Sequence, residues 1–171
     1  MSRIALLTAA VTLLAGAALA HTGATGVVKD RMDLMGVLDR AMKDLATLVR
    51  APGETDDARL GELAVTIRDH AGAAMTAKFP EGSLHRPSEA LPAIWSDWAD
   101  FESRADRLRM LADALVDAAA TGETTPPDAS TFPIAGVQRL TEEQAREAPP
   151  SVLVAHISAN CSACHLEYRE D

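Results

Sequence analysis

The pentapeptide Cys161-Ser162-Ala163-Cys164-His165, close to the end of a chain of 171 residues, limits what this sequence can fold into more than any other stretch. Two thiols three positions apart, followed at once by an imidazole, form the attachment pattern of a c-type haem. Each cysteine can add to a haem vinyl group, and the histidine can bind iron from the same side. On a helix, Cys161 lies one turn from both Cys164 and His165, so all three share one face. The fold must therefore offer a helix for the motif and walls for a large flat cofactor. The rival readings fit less well. A redox dithiol belongs beside a strand–helix unit, which this sequence does not show. Zinc needs more ligands than two cysteines and one adjacent histidine supply. A structural disulfide is a plain use of two cysteines in an exported chain, but it leaves the histidine unexplained.

Composition directs the remainder toward helices. Alanine and leucine are abundant, aromatic residues make up only 4%, and no run sustains a two-residue alternation, so the expected fold is all-α. The formal net charge of −9 argues against a nucleic-acid partner and favours solubility or docking to a basic protein. Met1-Ser2-Arg3, the apolar run Ile4 to Leu19 and the small residues of Ala18-Leu19-Ala20 read as a cleavable secretory signal over 1–20, with an uncleaved anchor as the alternative. A mature domain over 21–171 follows, with no second membrane segment expected. Export agrees with the haem reading, because thioether attachment in bacteria follows translocation, and it places the protein in the periplasm.

Four helices are expected along the chain. The first spans about 27–49, where Val28, Met35, Met42 and Val49 recur every seven residues and Leu34, Leu38, Ala41, Leu45 and Leu48 fill adjoining rows. Arg31 interrupts this stripe and needs either a partner, for which a haem propionate would serve, or a route to solvent along its own stem. After the breaker Ala51-Pro52-Gly53-Glu54, a second helix is expected over about 56–78. His70 on its edge reads as a hydrogen-bonded core-edge residue rather than a haem contact or alternative ligand. The third helix starts between Ser88 and Pro92 and stops at Gly122. Trp95, Trp98 and Phe101 cluster at its start, either as ordinary core or as the wall of a flat cofactor. Prolines punctuate 123–150, where Thr141-Glu142-Glu143-Gln144 reads as a capping box for a short helix, and the segment is expected to cover one end of the domain. The fourth helix begins at Pro150 or Ser151, with Leu153, Ile157, Cys161, Cys164 and Tyr168 on one stripe, so the haem motif faces inward.

Three stretches together resemble the class II c-type cytochromes, the cytochrome c′ and cytochrome c556-like family. Arg31-Met32-Asp33-Leu34-Met35 is similar to that family's first-helix motif. Phe79-Pro80-Glu81-Gly82-Ser83 with Ile94-Trp95 resembles its inter-helix loop and the start of its third helix, and Cys161 through Arg169 resembles its carboxyl-terminal signature. The resemblance implies an antiparallel up-down-up-down four-helix bundle holding one covalent haem c. It makes Cys161 and Cys164 the thioether anchors, His165 the proximal iron ligand and Met35 the side chain over the distal face. Arg31, Trp95 and Arg169 become the further candidate haem contacts. The proline-rich insertion at 123–150 is longer than the family leads one to expect.

Two functions follow from the iron's second axial side. If the Met35 sulfur binds, the protein is a one-electron carrier with a redox protein as partner. If Met35 only packs there, the iron is five-coordinate and takes a small gas such as nitric oxide or carbon monoxide. Met32 and Met42 are the other methionines able to approach. No nucleophile elbow, phosphate loop or zinc-protease motif appears, so enzymatic turnover is not expected. The family also implies a homodimer through the first two helices.

Overall fold

The computed structural model describes residues 23–51, 53, 56–122 and 128–170. The expected signal segment 1–20 lies outside these residues. The described chain is helical: α1 (Gly26–Leu48), α2 (Asp57–Asp69), α3 (Ala73–Thr76), α4 (Ala93–Ser96), α5 (Trp98–Thr121), α6 (Glu142–Glu147) and α7 (Pro150–Tyr168), with one 3-10 turn at Ala129–Thr131.

The long helices α1, α2, α5 and α7 form a four-helix bundle. α5 is its centre, packing on α2 along one side and on α7 along the other, while α1 lies chiefly on α2 and approaches α7 sparingly. That sparing approach is where the candidate site opens. The sequence pattern explains the packing: Leu34, Leu38, Ala41 and Leu45 of α1, Leu60, Leu63, Ala64 and Ile67 of α2, and Leu108, Leu111, Ala112 and Leu115 of α5 all recur at three- and four-residue spacing and are all buried. Each large aliphatic side chain so placed contributes about 1.5–3 kcal/mol from its removal from water.

Two expected helices are interrupted. The second ends at Asp69 instead of near Lys78, because Gly72 takes φ +57° and gives its N–H to the Ala105 carbonyl of α5 at 3.0 Å. A Cβ at Gly72 would stand 3.2 Å from Arg109 Cδ and 3.3 Å from Asp106 Oδ1, so glycine permits both the turn and the close approach. The third breaks at Asp97, whose backbone leaves helical geometry at φ −129°, ψ 46°. Its carboxylate accepts a hydrogen bond from the Tyr168 hydroxyl at 3.2 Å, so a side-chain contact to α7 accompanies the break. At the other end of α5, Gly122 adopts the left-handed conformation and stops the helix as expected.

The described part of the insertion lies on α5 and α7. Leu140, Ala145 and Ala148 are buried, and the Thr141–Gln144 capping box is present. Arg107 donates to the Leu140 carbonyl at 3.0 Å, and His156 of α7, itself buried, donates from Nε2 to the Pro133 carbonyl at 2.9 Å.

Candidate haem site

A cavity of about 340 Å³ opens between α1 and α7. This is the size range of small-molecule and cofactor pockets. From α1 it is lined by Met32, Met35, Gly36 and Asp39, which share one helical face, and from α7 by Cys164, His165, Tyr168 and Arg169. Phe79, Ile94, Phe101 and the loop 87–90 close its remaining walls.

The α7 wall carries the motif. Cys161 and Cys164 are free and half-buried, and Cys161 stands just outside the lining. Burial, with the neighbouring thiol adding to it at Cys161, pushes each thiol up to about 11, so both are neutral at pH 7 until they react. The His165 imidazole is held below its ordinary value by partial burial and by the Arg169 cation, against the opposing effect of Glu89. A neutral imidazole is the form that binds metal.

Tyr168 anchors the end of the same helix. It is buried, and its single hydroxyl hydrogen is shared between Asp100 at 2.8 Å and Asp97 at 3.2 Å. Burial and these two carboxylates raise its pKa and keep the phenol protonated. Asp100 also pairs with Arg104, and that pairing lowers its carboxyl below the usual range. Phe101 meets both Tyr168 and Phe79 edge to face, with centroids 5.4 and 4.8 Å apart, so three aromatic rings stiffen the cavity floor.

Arg31 is only 4% exposed, which overturns the route to solvent considered from the sequence. Its Nε and Nη2 donate to the Lys78 carbonyl at 3.1 and 2.9 Å, Nη2 also donates to Ser83 Oγ at 2.7 Å, and Nη1 donates to Ser88 Oγ at 2.7 Å. Its guanidinium stacks 4.3 Å above the Phe79 ring. None of these acceptors is a carboxylate, so a buried cation faces the cavity with its charge uncompensated by them. Burial accordingly lowers its pKa. One of the five guanidinium N–H groups remains uncommitted by these bonds. A flat apolar macrocycle with carboxylate tails fits such a site: methionine and aromatic walls for the ring, a buried cation for a carboxylate, and a thiol and an imidazole on one wall, with the second thiol on the same helix.

Other residues singled out from the sequence fall elsewhere. Trp95 is not among the cavity walls; its indole donates to the Phe79 carbonyl at 3.0 Å and supports the loop behind the site. Met42 is half-buried outside the cavity, whereas Met32 lines it beside Met35. His70 accompanies the end of α2, its Nδ1 2.7 Å from the Thr66 carbonyl oxygen. The sequence marks Ser83 only as part of a loop and Ser88 only as a helix start, and it does not single out Glu89, since isolated polar loop residues carry no periodic signal of what they will meet.

Comparison with known proteins agrees with this geometry. The family model described as cytochrome c′ matches residues 26–135, which ends before the Cys161–His165 motif. Cytochrome c-556 of Agrobacterium fabrum is 28% identical over 146 residues, covering 85% of this chain and 82% of that protein. Cytochrome c-556 of Agrobacterium tumefaciens is 28% identical over 144 residues, covering 84% and 97%. Among solved structures, cytochrome c′ from Thermochromatium tepidum superposes with a TM-score of 0.61 at 23% identity, covering 85% of this chain and 95% of its own. Cytochrome c′ from Rhodopseudomonas palustris gives 0.58 at 23%, covering 86% and 98%. At those identities the structures speak for the fold, which is the four-helix bundle. By the family match the chain belongs to the cytochrome c′ family and is a class II c-type cytochrome, a covalent haem c protein with an electron-transfer or gas-binding role.

Proposed function

We propose that this protein is an exported, periplasmic electron carrier whose single haem c is joined to Cys161 and Cys164, with His165 as proximal ligand and Met35 as distal ligand. The supporting observation is that Met35 and His165 line one cavity from facing helices, while Met42 does not line it. The haem supplies a one-electron couple when bound. Around it, Arg31 offers its uncommitted N–H and its charge to a propionate, and Tyr168, held by Asp97 and Asp100, fixes the end of α7 that carries His165. Met32, Phe79, Ile94 and Phe101 keep water from the ring, which limits solvent reorganisation when charge changes. Among the described residues no helix is long and apolar enough to cross a membrane. Within this reading the chain works by exchange with a redox partner and performs no turnover of its own.

The competing reading is a five-coordinate iron that binds nitric oxide or carbon monoxide. Absorption spectra of the purified holoprotein separate the two. With Met35 bound, the ferrous form is low-spin and unchanged by carbon monoxide, and Met35→Ala converts it to a high-spin form that responds to the gas. A high-spin, carbon monoxide-responsive wild-type spectrum would sink the electron-carrier assignment of Met35.

A further inference from the structure

One wall of the cavity is a short loop that touches both of its arginines. Ser88 accepts from Arg31 of α1, and the adjacent Glu89 accepts from Arg169 Nε at 2.8 Å. The loop is fastened to the end of α7 by backbone: Leu91 N–H donates to the Tyr168 carbonyl at 2.9 Å, Glu170 N–H donates to the Glu89 carbonyl at 2.8 Å, and Ala90 pairs antiparallel with Arg169. Both partners of the Glu89–Arg169 pair are about half exposed, with side chains 58% and 52% accessible, so the pair contributes little to stability. Its geometry is nevertheless set in advance, because the two residues are carried on paired backbones. Glu89, Arg169 and His165 line the same cavity.

We propose that Glu89 is a positioning residue: it holds the Arg169 guanidinium beside the proximal ligand His165 and so sets the reduction potential of the haem. A cation fixed close to the iron favours the ferrous state, which carries one positive charge fewer than the ferric. The same cation released into solvent is screened and acts less. The carboxylate's role is therefore orientation as well as charge, and the two are separable by Glu89→Asp, which keeps the charge and shortens the arm by one methylene.

The inference rests on His165 as iron ligand, and the test reports that separately. If the wild-type holoprotein lacks the spectrum of a histidine-ligated haem, the functional reading fails before any variant is compared. With that spectrum present, redox titration of Glu89→Asp, Arg169→Gln and the double variant forms a cycle. Arg169→Gln is expected to lower the potential, Glu89→Asp to lower it in the same direction by less, and Glu89→Asp to add nothing once Arg169 is gone. Arg86→Gln is the control: Arg86 is exposed on the same loop, outside the cavity lining, 3.5 Å from Glu170, and its loss is expected to leave the potential unchanged. An unshifted potential in Glu89→Asp, equal shifts by Glu89→Asp with and without Arg169, or a matching shift in Arg86→Gln would overturn the proposal.

Discussion

Arg31 is the residue whose replacement should reveal most about how the walls of the site are held together. In Arg31→Met the stem is kept and the guanidinium lost, along with four hydrogen bonds to the Lys78 carbonyl, Ser83 and Ser88. Ser83 is 7% exposed, so water does not readily replace the lost donor there, and the Lys78 carbonyl loses both of the bonds it receives from Arg31. A buried polar group left without a partner costs about 1–3 kcal/mol. Ser83 Oγ in full and the part-buried Lys78 carbonyl in part, with the stacking on Phe79 worth about 0.5–2 kcal/mol, give a gross loss of about 2–8 kcal/mol. Relief of the buried cation offsets only part of this in the holoprotein, because the propionate that Arg31 is proposed to meet loses its partner. A net loss of about 2–4 kcal/mol is expected, read from the denaturant midpoint of the holoprotein at constant m-value. Arg31→Lys keeps the charge but not the planar fork, so it should recover less than half of that loss. A midpoint for Arg31→Met within about 0.5 kcal/mol of wild type would refute the argument, since that is the scatter of an indifferent surface substitution.

Gly72→Ala should destabilise the fold by about 1–3 kcal/mol, because the residue sits at φ +57° and its Cβ would press on Arg109 and Asp106; thermal unfolding measures it, and an unchanged Tm would count against the close α2–α5 approach. Asp100, whose pairing with Arg104 holds its carboxyl below the ordinary carboxylate range in the folded state, stabilises the protein above the ordinary, unfolded value, and the contribution disappears as pH falls through the lower folded value. Asp100→Asn should therefore flatten the acid limb of a stability-versus-pH curve below about pH 4 and reduce stability at neutral pH. An acid limb identical to that of wild type would show that the Arg104 and Tyr168 contacts do not favour the ionised carboxylate.

Helix type and the buried face of each helix were legible because both follow from periodicity, which any stretch of sequence displays by itself. Val28, Leu34, Leu38, Ala41 and Leu45 lie in the core where their spacing puts them. So does the capping box at Thr141 and Gln144, since all its partners lie within one turn. The ends of the second and third helices were less legible. The apolar stripe runs through Ala71 and Met75, which are indeed buried, but the break at Gly72 is set by contact with Ala105, Asp106 and Arg109 of another helix. The break at Asp97 likewise coincides with a tyrosine seventy-one positions away.

The candidate site divides along the same line. Cysteine and histidine spacing is a local chemical fact, so the sequence alone pointed to a covalent haem and made His165 the candidate ligand. It also marked Arg31 as a charge in an apolar stripe that required either a partner or a route to solvent. Which groups meet that requirement depended on the tertiary structure, because the Lys78 carbonyl, Ser83 and Ser88 come from a loop some fifty residues onward and display no pattern. The packing of α5 against both neighbours, leaving α1 apart from α7, is what places Met35 and His165 on one cavity and leaves Met42 and Trp95 outside its walls. Spacing along a chain determines which side chains share a face. Only the meeting of faces from distant segments decides what lies between them.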